Sequence, residues 1–257
     1  MDDTIYINGR AYERHRHFGR PYLRQLVRTD GARALYVAEH LELLNNYARQ
    51  FFGEQIAVTA EQIVREVDAM LRAERYSLLK SHIIELRIYG ASQFSLHVVE
   101  TSLYDRFGLR AIRPVARIVE ESIPLNGAPT GAFAEFVAIL RRRVNIAEGG
   151  EPIRNTVPVT VERDGCISSI DGATPIAVKG RQIIFAPHVE SVEVQRIKEV
   201  CARLRRSEVV VREILCEELA SLDELMYVDA RGITSIIECE GAVYADIIAN
   251  VLDRAME

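Results

Sequence analysis

The chain has 257 residues, of which 48% are hydrophobic, so it can bury a core of ordinary size. Its 32 basic and 37 acidic side chains give a net charge of −5, and the average surface therefore does not attract nucleic acid or anionic membranes. No apolar run approaches the roughly 20 residues of a membrane-spanning helix, and the opening MDDTIYING lacks the pattern of a signal peptide. These features predict a soluble, cytoplasmic protein.

The first half of the chain predicts two helices packed on a mostly antiparallel sheet. A hairpin with its turn at Asn8-Gly9 opens the fold, and a second pair of strands flanks the turn at Asp30-Gly31. The spacing of apolar residues predicts one helix over 37–52 and another over about 59–79. Strands are then expected in HIIELRIYG, FSLHVVET and LRAIRPVARIVEE.

The second half predicts a larger lobe that is rich in strands. Two prolines and two glycines in 121–131 indicate a connection, and a short helix over 133–144 follows. The later elements are the strands VPVTVER, CISSI, PIAVKG and RQIIFAP, a helix over about 191–204, the strands VVVREIL and DELMYV, the segment ITSIIECEG and the final helix ADIIANVLDRAM. We therefore expect a small N-terminal α/β lobe over 1–122, a C-terminal lobe over 123–257, and a cleft between them.

The cysteines indicate neither a disulfide framework nor a zinc site. They form no CxxC pair, and no histidine lies at metal-ligand spacing from any of the four, which are Cys166, Cys201, Cys216 and Cys239. We predict buried free thiols and no bound metal.

Four phrases in the right order resemble the class IV (fold type IV) enzymes that use pyridoxal phosphate (PLP), such as branched-chain aminotransferases, D-amino acid aminotransferases and aminodeoxychorismate lyases. The phrases are YINGRAY, EHLELLNNYARQFFG, DGCISSIDGATPIAVKGRQIIFAP and LASLDELMYVDARGITSIIECEG. The resemblance implies an α+β, two-lobed D-amino acid aminotransferase-like fold whose C-terminal lobe is a pseudo-barrel with helices. It also implies a homodimer.

The lysine that such enzymes need is missing. They hold PLP as a Schiff base on a lysine amine, and the resemblance places this lysine near Ala128. Between Lys80 and Lys179 the chain has no lysine at all. The carboxylate that keeps the pyridine nitrogen protonated falls at Ser169, which carries no charge.

The other cofactor contacts are also replaced. By the resemblance, the tyrosine beside the lysine falls near Phe133, and the arginine that pairs with the phosphate falls at Leu43. The helix start that completes the phosphate site aligns with 191–193, which includes Glu193, and the threonine of the opposite wall aligns with Asp229. Two carboxylates repel a phosphate dianion. We therefore predict no cofactor, and PLP only if the family activity is retained.

We interpret the chain as a class IV aminotransferase-like protein that has lost PLP catalysis and acts as a binding or interaction protein. Arg231 beside Asp229 either forms an internal ion pair or grips a small anionic ligand. No catalytic residue is assigned, and the candidate cleft residues are Ser169, Thr174, Asp229, Arg231 and Thr234. The alternative is an active aminotransferase or aminodeoxychorismate lyase-type enzyme with an unorthodox site, which predicts convergent polar groups with perturbed acidic pKa values.

A weaker alternative is nucleic-acid binding through an arginine-rich segment near the N-terminus. The arginines are Arg10, Arg14, Arg16, Arg20, Arg24 and Arg28. Because the net charge is negative, a solvated strand face is the favoured interpretation, and nucleic acid is an improbable partner.

Overall fold

A computed structural model describes residues 4–7, 10–13, 20–147, 156–204 and 207–256. The chain divides into two compact units. The first comprises Met1–Arg106 with Pro129–Gly131, and the second comprises Phe107–Ala128 with Ala132–Glu257. The sequence-based expectation put the division at residue 122, whereas the segment 107–122 groups with the second unit because its strand pairs there.

The first unit contains a six-stranded sheet whose neighbouring strands are all antiparallel, in the order β2-β1-β6-β5-β3-β4. The strands are β1 (Thr4–Ile7), β2 (Arg10–Glu13), β3 (Leu23–Asp30), β4 (Arg33–Ala34), β5 (His82–Ile88) and β6 (Phe94–Thr101). Helices α1 (Val37–Phe52) and α2 (Ala60–Ala73) pack their apolar stripes on one core with this sheet. The predicted opening hairpin is present as β1 and β2, and its turn at Asn8-Gly9 lies outside the described residues.

Helix α2 begins where the sequence predicts and ends earlier. The Thr59 hydroxyl accepts the Gln62 N–H at 3.2 Å, which caps the helix start. At the other end Arg75 adopts a left-handed φ of 58°, and Tyr76 N–H donates to Leu71 O at 2.9 Å. This is the Schellman geometry, which usually has glycine at the left-handed position. Because an arginine stands there, the sequence carried no stop signal and the prediction of a helix to 79 was wrong.

The second unit contains two five-stranded sheets. One has the order β12-β11-β10-β13-β14, and the other has the order β16-β15-β7-β8-β9. The strands are β7 (Val115–Val119), β8 (Thr156–Val161), β9 (Ile167–Ile170), β10 (Thr174–Lys179), β11 (Gln182–Phe185), β12 (Glu208–Val211), β13 (Glu224–Asp229), β14 (Gly232–Ser235), β15 (Glu238–Cys239) and β16 (Ala242–Val243). The helices are α3 (Gly131–Ala147), α4 (Val192–Arg203) and α5 (Ile247–Ala255).

Strand β13 has two faces with different surroundings. Its residues Met226 and Val228 belong to the core that α4 and α5 cover. The alternate residues Leu225 and Tyr227 belong to the core shared with the other sheet, which includes Val159. The period of two along β13 therefore directs the Tyr227 side chain into the space between the two sheets of this unit.

Among the described residues, no helix is long and apolar enough to cross a membrane. The same residues contain no group of three or more His, Cys, Asp or Glu side chains placed to hold a metal ion. Cys166, Cys201 and Cys239 are buried free thiols, and Cys216 is a partly buried one.

Candidate functional site

Asp229 and Arg231 lie at the turn between β13 and β14 and bind each other. The Arg231 N–H donates to Asp229 Oδ1 at 2.8 Å, and Arg231 Nη1 donates to Asp229 Oδ2 at 2.9 Å. One carboxylate thus holds both the backbone and the guanidinium of the same residue. Of the two roles that the sequence left open for Arg231, the geometry is that of the internal ion pair.

Two hydroxyl side chains lie on the same two strands, one residue pair away from Asp229. Tyr227 on β13 and Thr234 on β14 are cross-strand partners, so their side chains are neighbours on one face of the sheet. Thr234 Oγ1 accepts from Arg110 Nη1 at 3.2 Å, and the Tyr227 hydroxyl donates to Asp171 Oδ2 at a long 3.5 Å. Burial raises the pKa of Tyr227, and the charges of Asp171 and Asp229 raise it further, so this phenol remains a proton donor.

Asp171 lies in the two-residue turn between β9 and β10. Both turn residues are left-handed, with φ 53° at Asp171 and φ 78° at Gly172, as a tight hairpin requires. A Cβ on Gly172 would lie 2.6 Å from Val137 Cγ2, so glycine also allows α3 to approach the turn. Arg141 on α3 then binds the Asp171 carboxylate in a bidentate manner. Burial raises the pKa of Asp171, although the Arg141 charge opposes the shift.

Glu193 is the second residue of α4, where the resemblance placed the phosphate. Ser191 caps this helix by accepting the Val194 N–H at 3.1 Å. Glu193 is 9% exposed. Burial raises its pKa to about 7, the charge of Asp229 adds to the rise, and hydrogen bonds to Ser191 and to its own backbone oppose it. The helix N-terminus therefore already faces a carboxyl group of the chain itself.

The remaining two candidate residues bond elsewhere. Ser169 on β9 is fully buried, and its hydroxyl lies 2.7 Å from Thr160 Oγ1 on the neighbouring strand. Thr174 donates to Val189 O and so secures the loop that leads to α4. The structure thus brings Asp229, Arg231 and Thr234 together and places Ser169 and Thr174 in local contacts of other kinds.

We call the assembled group the charged cluster. It consists of the following side chains, all from the second unit: Arg110, Arg141, Asp171, Glu193, Tyr227, Asp229, Arg231 and Thr234. Sequence reasoning missed Arg110, Arg141, Asp171 and Tyr227 as members. The Asp171-Gly172 pair between two strands was a hairpin signal that could have located the turn.

Two arginines of the arginine-rich N-terminal segment are bound within the first unit. Arg24 is ion-paired with Glu85, and the buried Arg28 donates to the carbonyl oxygens of Tyr104 and Arg106. Two of the six arginines are therefore committed within the first unit. Arg14 and Arg16 lie outside the described residues, as does the side chain of Arg10.

Comparison with known proteins yields no matching family model and no matching curated protein. Solved structures do match over nearly the whole chain. The branched-chain aminotransferase of Thermoproteus uzoniensis, solved with norvaline, is 16% identical with a TM-score of 0.76, over 98% of this chain and 92% of that one. The Escherichia coli branched-chain amino acid aminotransferase is 13% identical with a TM-score of 0.75, over 100% and 93%. A hypothetical aminotransferase from Mycobacterium tuberculosis in its PLP-bound form is 15% identical with a TM-score of 0.73, over 98% and 96%.

These likenesses establish the fold. The chain has the mixed α+β architecture of fold type IV aminotransferases, as the four sequence phrases predicted. At 12–16% sequence identity these structural likenesses show the architecture alone, because one fold hosts many functions.

Proposed function

We propose that this protein uses a fold type IV scaffold as a PLP-independent binding protein. The observation that carries the proposal is the absence of any lysine between Lys80 and Lys179, the part of the chain where the Schiff-base lysine of the fold would lie. Without a lysine amine, the cofactor aldehyde has no covalent anchor, and the substrate proton has no shuttle.

The other lysines of the second unit are engaged away from the charged cluster. Lys179 ends β10 and donates to Ser221 Oγ at 3.0 Å, whereas Thr174 begins the same strand beside Val228. Five residues of extended chain separate those two ends by roughly 16 Å. The Lys198 ammonium lies 5.4 Å from the centre of the Phe185 ring, in the core on the helix side of the sheet. These positions argue against either lysine replacing the missing one.

The charges of the site also do not fit PLP. A phosphate at the start of α4 would meet Glu193 and the nearby Asp229, and each pair of like charges about 4 Å apart costs roughly 1 kcal/mol in water and several times more in a shielded site. Where the pyridine nitrogen would need a carboxylate, Ser169 offers a hydroxyl that is already bonded to Thr160. These residues support binding of something smaller and less negative than a phosphate ester.

The ligand we propose is a small anion, and the protein itself is proposed to act in the cytoplasm as a homodimer. The dimer follows from the resemblance to class IV enzymes, and sedimentation equilibrium of the purified chain tests it. A monomer at micromolar concentration would contradict this part of the proposal.

Incubation with PLP followed by borohydride reduction and peptide mass analysis tests the central claim. We expect no aldimine absorbance band and no stoichiometric adduct. Because the chain has only three lysines, the triple variant Lys80→Arg, Lys179→Arg and Lys198→Arg is a practical control for surface adducts. One lysine labelled stoichiometrically in the wild type and lost in the triple variant would overturn the proposal.

The raised carboxyl pKa values favour a second candidate function, an acid–base enzyme with an unorthodox site. Glu193 has a pKa of about 7, which suits a general acid or base at neutral pH. This candidate predicts that the chain, supplied with PLP to carry the amino group, turns over amino acid and oxo acid pairs or aminodeoxychorismate, and that this turnover disappears in Glu193→Gln. Turnover that is absent from the wild type, or that survives this substitution, would rule the second candidate out.

A further inference from the structure

Arg110 is the arginine of the charged cluster whose charge is not matched. Arg141 is paired with Asp171, and Arg231 with Asp229. Arg110 instead donates to the neutral hydroxyl of Thr234, and no Asp or Glu oxygen within the described part of the chain lies within 4.0 Å of it. A partly buried guanidinium without an anionic partner is uncommon, because its desolvation is then uncompensated.

The backbone around Arg110 is held firmly in place. Ile233 N–H donates to Gly108 O at 2.9 Å, and Arg110 N–H donates to Ile233 O at 2.9 Å, so residues 108–110 lie alongside β14. Asp253 on α5 accepts the Leu109 N–H at 2.7 Å. These bonds fix the start of the Arg110 side chain before any ligand arrives.

A glycine makes this close approach possible. Gly232 has a φ of 134°, and a Cβ on it would lie 2.3 Å from Gly108 O. Any other residue would push the 108–110 segment away from the strand and carry Arg110 with it. Gly232 therefore positions Arg110 without contacting a ligand.

The guanidinium of Arg110 is oriented by Thr234. Arg110 Nη1 donates to Thr234 Oγ1 at 3.2 Å, and Tyr227, the cross-strand partner of Thr234, donates to Asp171. Within the described part of the chain only Nη1 of this guanidinium makes a hydrogen bond, so the remaining N–H donors keep their planar fork geometry for a ligand. A carboxylate matches such a fork with two parallel hydrogen bonds.

The surrounding acids determine the charge that the site tolerates. Asp171, Asp229 and Glu193 lie in the same cluster, and each would repel a dianion more strongly than a monoanion. A phosphate is therefore disfavoured, and a singly charged group is favoured.

We infer that Arg110, oriented by Thr234, is the anchor for the carboxylate of a small monocarboxylic ligand. This inference rests on the proposed function, since it requires the cluster to be free of PLP, and it names the class of anion that the protein binds. The residue that we propose to hold the ligand is therefore Arg110, and not Arg231.

Calorimetric titration of the full chain with sodium butanoate tests the inference, with sodium chloride for matched ionic strength and inorganic phosphate as a second probe. We expect one butanoate site and weaker or undetectable phosphate binding. Arg110→Gln should weaken butanoate binding by at least about tenfold, because charge-assisted hydrogen bonds are lost. Arg142→Gln is the matched control, since it removes the same charge from an exposed position on α3 and should leave the affinity unchanged.

Two further variants keep the result interpretable if Arg110→Gln is unstable. Arg110→Lys retains the charge without the fork, and Thr234→Val removes the orienting hydroxyl while keeping the side-chain shape. Both should weaken butanoate binding by a smaller factor than Arg110→Gln does, with unchanged thermal unfolding.

Three results would overturn the inference: no saturable butanoate binding, equal affinity in the Arg110 and Arg142 variants, or phosphate binding that is tighter than butanoate binding and depends on Arg110. These results are separable from failure of the proposed function. The titration contains no PLP, whereas a lysine adduct of PLP is detected independently by mass analysis.

Discussion

Arg141 and Asp171 form a bidentate ion pair that joins helix α3 to the turn between β9 and β10. The two partners differ in exposure, with 51% of the Arg141 side chain accessible and 5% of the Asp171 side chain. The arginine can be hydrated if the pair is broken, but the aspartate cannot. The energetic consequence of losing the pair therefore falls on Asp171.

Replacing Arg141 should destabilise the protein more than replacing its neighbour. Arg141→Ala leaves a buried carboxylate without its cation, and we expect the free energy of unfolding to fall by about 1–3 kcal/mol. The exposed Arg142→Ala should change it by less than about 0.5 kcal/mol. Urea denaturation measures both variants. Asp171→Asn added to Arg141→Ala should recover part of the loss, and strict additivity of the two changes would contradict the pairing.

Glu193 should make the protein less stable as the pH rises towards neutrality. Its pKa is raised from 4.5 to about 7 on folding, so the folded chain binds more protons between these values, and the free energy of unfolding falls across that window. Glu193→Gln should remove this fall and stabilise the protein at pH 8 by an amount on the order of 3 kcal/mol. Denaturant unfolding of the wild type and the variant from pH 4 to pH 8 tests this prediction. Parallel profiles of the free energy of unfolding against pH would refute the raised pKa of Glu193.

His40 should make the protein less stable as the pH falls into the acid range. Burial lowers its pKa from 6.5 to about 3, and its Nδ1 lies 3.1 Å from Gln25 Oε1. The unfolded chain therefore binds more protons between these two values, and stability should be lost as the pH falls from about 6.5. His40→Gln should flatten this acid limb. The same pH series is measured with and without His40→Gln in the Glu193→Gln background, so that Glu193 no longer contributes to the pH dependence. An unchanged slope of the free energy of unfolding against pH below pH 6 would count against this prediction.

Two glycines with positive φ should respond very differently to alanine. Gly241 has φ 84°, and no atom lies within 4 Å of the point that a Cβ would occupy, so Gly241→Ala should cost only the backbone strain of about 1–2 kcal/mol. Gly232→Ala adds a clash with the Gly108 carbonyl and should cost about 2 kcal/mol more. Thermal unfolding compares them. Butanoate affinity should fall in Gly232→Ala alone, and equal effects of the two substitutions would argue against a positioning role for Gly232.

The order of elements was predictable because it rests on local signals. Thr59 at a helix start and the Asp30-Gly31 turn each act through neighbours a few residues away, and the structure contains both features. The end of α2 was not predictable, because Arg75 occupies a conformation that the sequence pattern assigns to glycine. Strand β7 was found, but its partner β8 could not be inferred from its own residues.

The site was predictable only where its members are close in sequence. Asp229 and Arg231 are two residues apart, and their pairing could be proposed from spacing alone. Arg141 and Asp171 are separated by 30 residues, and Arg110 and Thr234 by 124, so these contacts depend on tertiary packing that no short window contains. The arginine that lacks a carboxylate partner therefore became visible only in three dimensions.

The 108–110 segment also covers part of the free edge of strand β14. β14 is the last strand of its sheet, and such a strand offers unpaired N–H and C=O groups to strands of other chains. Here the outward N–H and C=O of Ile233 are already bonded to Gly108 and Arg110. The segment thus reduces the pairing of β14 with strands of other chains. A change that detaches it should lower the solubility of the protein as well as its affinity for a ligand.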